Sequence, residues 1–399
     1  MQFFLIVIGL LSFFYGYIGW RLIIPAGLGH PWNVLAWCLL FVLLILPFVS
    51  IYLRFYGSQN YLIYLFTWVS YLSLGFMTLL FLLLLARDIA LVISMGVKYA
   101  VSFIAGLAGP GVSSLEPSAA DLDRRRFLLN SLNVAVLAVT GFITGCGVYQ
   151  ALRGPRVVNI TVPIENLHDD LDGFRILQIT DIHVGSTILR PYVEKIVGMA
   201  DGLDKDVIFF TGDLADGRVA GIKSDVEPLS MLSAPHGMFF VTGNHEYYFG
   251  VKSWIIEVQR LGFTVLNNEH RVIRHGVGSI LVAGVTDYNG GQFLESHVSD
   301  PDKARAGAPP CDVTVLLAHQ PRSIFKAAQA GYDLMISGHT HGGQYFPWNY
   351  FVRLQQPYID GLHRHDGTWI YVSRGSGYWG PPLRCGIPSE ITVITLKKA

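Results

Sequence analysis

Five short sequences in the carboxyl-terminal half carry residue types that bind metal ions: Asp181-Ile182-His183, Gly212-Asp213, Gly243-Asn244-His245-Glu246, His319-Gln320-Pro321 and Gly338-His339-Thr340-His341-Gly342-Gly343. Singly, each is an ordinary turn, cap or strand end. His339 and His341 weigh more, because two imidazoles two residues apart after an apolar run are costly without a partner or a metal. The conjunction of all five points to a metal site. Carboxylate, imidazole and amide donors without thiolate suit Mn, Fe, Zn, Ni or Mg.

The elements that must position these donors are legible around them. From Arg156 onward, β-branched runs alternate with helical stretches, which is α/β patterning. The runs are Val157–Val162, Phe174–Thr180, Asp206–Thr211, Gly237–Thr242, Ser279–Ala283, Asp312–Ala318, Asp333–Ser337, Trp369–Ser373 and Glu390–Leu396. Five of them lead directly into the candidate donors, as expected where a rigid sheet holds loop residues from distant sequence in one place. Helices are expected at Pro191–Ala200, Ser253–Leu261 and Pro321–Ala330, and Asn289–Pro310 reads as a long stretch, either a lid or simply a mobile loop.

In these motifs and their order, the stretch from about Arg156 to Lys398 resembles the calcineurin-like metallophosphoesterases. Gly338–Gln344, Ser373-Arg374-Gly375 and Gly380-Pro381-Pro382-Leu383-Arg384 resemble the bacterial membrane-linked or twin-arginine-exported branch. The resemblance implies a four-layer α/β/β/α sandwich. It also implies two divalent ions, one held by Asp181, His183 and His341, the other by Asn244, His319 and His339, with Asp213 bridging them. Two cations a few ångströms apart bind phosphate oxygens and lower the pKa of a shared water, so a bridging hydroxide would attack phosphorus in line. His245 would stabilise or protonate the departing oxygen, oriented by Glu246. Arg374 and Arg384 are open to phosphate contact or to structural pairing, and the aromatic run Tyr345–Phe351 to gripping an acyl chain, touching the bilayer or simple packing.

The remainder of the chain is apolar. Of 399 residues 51% are hydrophobic and 15% charged, against roughly 25% charged in soluble domains. Residues 1–120 hold only Arg21, Arg54, Arg87, Lys98, Asp88 and Glu116 as formal charges. Phe3–Trp20, Val34–Leu53 and Tyr61–Ala86 are uncharged and each is followed by an arginine, which suits three membrane spans. Ile89–Ala108 is ambiguous, interrupted by Lys98 and glycines, and able to lie along the interface. Asp123-Arg124-Arg125-Arg126 precedes a last span at Phe127–Tyr149. The expected layout is therefore an all-α transmembrane region over 1–150 and a phosphoesterase domain over 151–399. Three arginines before a span mark the cytoplasmic side, so the domain is expected outside a bacterial inner membrane. Arg124–Leu128 also resembles an export signal and Ile143–Cys146 a lipoprotein cleavage site. Topology control and a glycine-rich helix end are the preferred explanations.

Lys plus Arg equals Asp plus Glu, 29 each, so no basic excess marks a nucleic-acid partner. Cys38, Cys146, Cys311 and Cys385 show no short metal or redox spacing, and a Cys311–Cys385 disulfide has nothing to support it. Oligomeric state is not encoded in any motif. The expected activity is hydrolysis of a phosphomonoester or phosphodiester, with a lipid or envelope component as a candidate substrate. Alternatives are pyrophosphate cleavage on a UDP-diacylglucosamine-like lipid precursor, which requires a cytoplasmic domain, and a non-catalytic metal-dependent binding module, against which the complete donor set argues.

Overall fold

A computed structural model describes residues 2–56, 61–107 and 119–399. The chain divides into two compact units, one of Met1–Tyr52 and Val69–Cys146, the other of Leu53–Trp68 and Gly147–Ala399.

The first unit is helical. Its uncharged sequences form α1 (Gln2–Ala26), α2 (Trp32–Tyr56), α3 (Tyr61–Leu107) and α4 (Ala119–Leu152), although the ends of α2, α3 and α4 belong in part to the second unit. Four helices among the described residues are long and apolar enough to cross a membrane. The ambiguous stretch from Ile89 continues α3 without a break, giving 47 residues and about 70 Å of helix. The Ser- and Pro-rich connection over 108–118 lies outside the described residues. Helix α4 runs unbroken through both Arg124–Arg126 and Gly145-Cys146. Within this unit Asp88 pairs with Arg21 and Arg87, Arg87 reaches Asn133, and Arg126 donates to the Pro25 carbonyl.

The second unit is a sandwich of two sheets. Strands β1 (Arg156–Ile164), β2 (Arg175–Ile179), β3 (Val207–Phe210), β4 (Met238–Phe240), β5 (Thr264–Val265), β6 (Glu269–His275), β7 (Gly278–Gly284), β8 (Val313–Leu317), β9 (Leu334–Ser337), β10 (Gly361–His365), β11 (Thr368–Val372) and β12 (Glu390–Lys398) supply them. Their orders are β1-β12-β2-β3-β4-β5 and β10-β11-β9-β8-β7-β6. Helices α5 (Arg190–Asp201), α6 (Val219–Val226), α7 (Asn244–Phe249), α8 (Val251–Arg260), α9 (Pro301–Arg305), α10 (Ile324–Gln329) and α11 (Trp348–Phe351) connect them.

The period-2 alternation of strands explains the layering. Ile176, Val207, Phe209, Ile280, Val315 and Ile336 point between the sheets into one core. Their neighbours Leu177, Ile208 and Phe210 face Val193 and Ile196 of α5, while Leu316, Met335 and Ile370 face Ile324 and Ala327 of α10. The result is the expected α/β/β/α order. Three strands escaped the sequence reading, β5, β6 and β10. The last two lie at a sheet edge and are rich in His and Arg. The 290–305 stretch is not a bare loop: it holds two 3-10 turns and α9, with Pro301 and Ala304 buried.

Candidate metal centre

The parallel strands β2, β3 and β4 of one sheet and β8 and β9 of the other end beside each other, and the backbone turns sharply at each exit. Asp181, His183, Asp213, His339 and His341 all have positive φ, between 51° and 73°. Five of the nine described non-glycine residues in that region are thus predicted ligands. Such conformations cost roughly 1–3 kcal/mol each and persist where the surroundings over-determine them. Glycine neighbours make the crowding possible. A Cβ on Gly338 would fall 2.0 Å from Asp181 Oδ2, and one on Gly243 would fall 2.2 Å from Asp213 Oδ1.

The donor atoms converge in three overlapping groups, Asp181, His183 and His341 in one, Asp213, His319 and His339 in another, and His183, Asp213 and His245 in a third between them, with the donors of each group within 4.8 Å of one another. In the first, His183 Nε2 lies 2.9 Å from His341 Nε2 and 3.9 Å from Asp181 Oδ1. In the second, His319 Nε2 lies 3.1 Å from Asp213 Oδ2, 3.1 Å from His339 Nδ1 and 3.2 Å from Asn244 Oδ1. Asp213 Oδ2 is also 3.7 Å from His183 Nε2, so one carboxylate adjoins both groups. Ligand bonds of about 2.0–2.2 Å around one ion place neighbouring donors roughly 3.0–3.5 Å apart; the His319 separations fall in that range, while His183 stands wider from Asp181 and Asp213, at 3.9 and 3.7 Å. All eight predicted residues, His245 included, are brought together.

Burial pulls His339 down to about 3, helped by His319, and burial with His183 and Arg384 holds His341 well below the ordinary histidine value. Both offer bare lone pairs. Burial raises Asp181. Burial also pushes Asp213 up, but the imidazoles around it, His319 foremost, reverse this and hold it well below the usual carboxylate range. The donor chemistry and spacing fit divalent ions.

Neighbouring residues fix the ligands. The Thr211 carbonyl faces His319 Nδ1 at 2.8 Å, leaving Nε2 for the site. Thr180 Oγ1 and the His339 N–H donate to Asp181 at 2.7 and 3.0 Å. Asp216, which the sequence reading missed, serves two histidines: its Oδ1 is 3.2 Å from His183 Nδ1 and bonds His245 Nδ1. The spacing Asp213-x-x-Asp216 was the one available signal. Burial lowers His245, but Asp213 and then Asp216 raise it, to about 9.

Glu246 does not orient His245. Its carboxylate accepts the backbone N–H groups of Gly243, Asp213 and Leu214 at 2.7, 3.0 and 2.9 Å, because the first turn of α7 and the Asp213 loop both leave N–H donors unsatisfied there. Structural pairing accounts for both arginines. Arg374 binds Asp360 at 2.8 Å, and the fully buried Arg384 donates at 2.9 Å to both the carbonyl and Nδ1 of His341. Burial lowers Arg384 to about 10. All four cysteines are free.

Residues 174–343 match the family described as calcineurin-like phosphoesterase. An uncharacterized metallophosphoesterase of Helicobacter pylori is 37% identical over 303 residues, covering 74% of this chain and 80% of that protein. The chain belongs to the calcineurin-like metallophosphoesterases. Proteins called transmembrane protein with metallophosphoesterase domain are 35% identical in Bos taurus, over 84% of this chain and 75% of that one, and 36% identical in Danio rerio, over 72% and 66%. Metallophosphoesterases use divalent metals, and this one is a hydrolase of phosphate esters. Its four apolar helices make it a membrane protein.

Proposed function

We propose that this metallophosphoesterase is a membrane-anchored, two-metal hydrolase of a phosphomonoester or phosphodiester, with residues 1–150 as anchor and 151–399 as catalytic domain. The observation that carries it is the pair of donor groups joined at Asp213. Asp181, His183 and His341 would hold one ion, Asn244, His319 and His339 the other, and Asp213 both. Bound there, the ions supply Lewis-acid charge for the phosphoryl oxygens and the attacking water.

The chain's own residues do the rest. Thr211, Thr180 and Asp216 set ligand tautomers and angles. His245, held protonated by Asp213 and Asp216, donates from Nε2 to the departing oxygen, since Nδ1 is committed to Asp216. Membrane orientation follows from charge. Arg21 near the end of α1, Arg87 inside α3 and Arg126 near the start of α4 gather together, and the positive-inside rule assigns such a cluster to the cytoplasmic side. Helix α4 then leads outward, and a lipid or envelope phosphate ester is within reach of the domain.

The test is hydrolysis by the purified full chain of a panel of phosphomonoesters, phosphodiesters and nucleotide-sugar pyrophosphates, with Mn, Zn, Ni and Mg each supplied. Metal-dependent release of phosphate or alcohol from a mono- or diester is expected. Cleavage confined to the pyrophosphates overturns the proposal.

A further inference from the structure

Immediately after the His341 loop, the second unit leaves a row of large apolar side chains in solvent. Phe346, Trp348, Tyr350, Phe351 and Leu354 are all exposed, Leu354 to 81%. Phe346 stands just before α11, the others lie on α11 and on the 3-10 turn Val352–Leu354 that extends it, and neither element buries any residue. The domain's own packing makes no use of this surface. Ile256, Val277 and Phe325 are exposed elsewhere in the unit, and Tyr248 and Phe293 form an exposed ring pair, 5.8 Å between centroids. The segment is firmly mounted: a Cβ on Gly343, whose φ is +80°, would fall 2.3 Å from Asn349 Cα, and the preceding Gln344 and Tyr345 are buried.

Its root is tied to the last turns of α4, the end of a candidate span. The Arg384 N–H donates to the Gly147 carbonyl at 3.1 Å, and the Gly386 N–H to Gln150 at 3.1 Å. The next link is the Cys385 N–H, which donates to the Gln344 carbonyl at 3.1 Å, two residues before Phe346. Gln344 also clasps the main chain of Trp379 in both directions, at 2.7 and 2.8 Å. The half-exposed Trp379 ring stands edge-on to His245, 5.9 Å between centroids. A single hydrogen-bonded strap thus joins the emergence of α4, the root of the aromatic segment and the rim of the metal centre.

Tryptophan and tyrosine favour the membrane–water boundary, and a short helix with an apolar face and an adjacent cation lies in that layer. Arg353, exposed on the same turn, supplies the cation. We propose that Phe346–Leu354 docks into the interfacial layer of the bilayer that α4 crosses, so that the site works on phosphate esters whose apolar portion stays in that leaflet. Docking stands on the geometry alone, whereas the substrate class rests also on the phosphoesterase reading.

The experiment uses the full chain in phosphatidylcholine–phosphatidylglycerol vesicles, with its four cysteines replaced by serine and a nitroxide placed at Phe351→Cys or, for comparison, at Phe325→Cys. Accessibility to oxygen, which concentrates in lipid, is compared with accessibility to a water-confined nickel chelate. The label at 351 is expected to be oxygen-accessible and shielded from nickel, and the label at 325 the reverse. Equal nickel access at both positions overturns docking. So does shielding of 351 from both reagents, which would mean a protein partner or a second copy covers it.

A second arm compares a long-chain with a short-chain phosphodiester of the same headgroup, in wild type and in Tyr350→Asp/Phe351→Asp. The long-to-short ratio of kcat/KM is expected to fall about tenfold in the variant. An unchanged ratio overturns the substrate class. Shielding at 351 in a chain that cleaves no phosphate ester would sink the phosphoesterase reading while leaving docking standing.

Discussion

Replacing Asp216 with asparagine separates two jobs that one carboxylate performs. Its Oδ1 bonds His245 Nδ1 and lies 3.2 Å from His183 Nδ1. The Asp216→Asn substitution keeps the volume and an acceptor oxygen at the Oδ1 position but removes the negative charge that both imidazoles face. Loss of such a partner typically lowers metal affinity or activity about 10–100-fold, equivalent to about 1.4–2.7 kcal/mol. A second effect concerns pH. Burial lowers His245, but Asp213 and then Asp216 raise it, and of the two only Asp216 is not itself assigned to cations. A proton donor must be charged, so its contribution is full below its own pKa and fades as pH rises through it. Without Asp216 the fade begins at lower pH. The assay is kcat against pH in the metal-loaded full chain for a series of aryl phosphodiesters. The variant is expected to show a steeper dependence on leaving-group basicity and an earlier alkaline decline. A profile and a leaving-group slope superposing on wild type would refute the role given to Asp216.

Three further substitutions probe separate supports. Glu246→Gln sets an amide against backbone N–H groups that now share a carboxylate, and should cost about 2–4 kcal/mol, read as a lower thermal midpoint of the metal-free chain. Gly338→Ala drives a methyl to 2.0 Å from Asp181 Oδ2 and 2.4 Å from Thr180 Oγ1, so one ion per chain should be lost in metal analysis while Asn244, His319 and His339 keep theirs. Arg384→Met frees His341 of two contacts at 2.9 Å. About 10–100-fold weaker binding of the ion at Asp181, His183 and His341 is expected in a chelator titration.

What the sequence revealed followed physical regularity. Buried parallel strands such as Val207–Phe210 and Val313–Leu317 are apolar runs, the second broken only by Thr314, so their ends, and the donors after them, were visible. Edge strands β6 and β10 are half-exposed and charged and carry no such signature. For β10 the Asp366-Gly367 turn, with both residues at positive φ, was the available hairpin signal. Roles that depend on contact between loops stayed hidden. Glu246 adjoins His245 in sequence yet serves the Asp213 backbone, and Asp216 reaches His245 across 29 positions. Arg384, 43 positions from His341, becomes its clamp only because both sheets end at one place.

Metal stoichiometry of the purified full chain, wild type beside Asp213→Asn, tests the central claim most directly. Two tightly held divalent ions per chain are expected in the wild type, with both weakened and turnover abolished in the variant, because Asp213 adjoins each donor group. Full occupancy and undiminished phosphate-ester hydrolysis in Asp213→Asn would contradict the two-metal account.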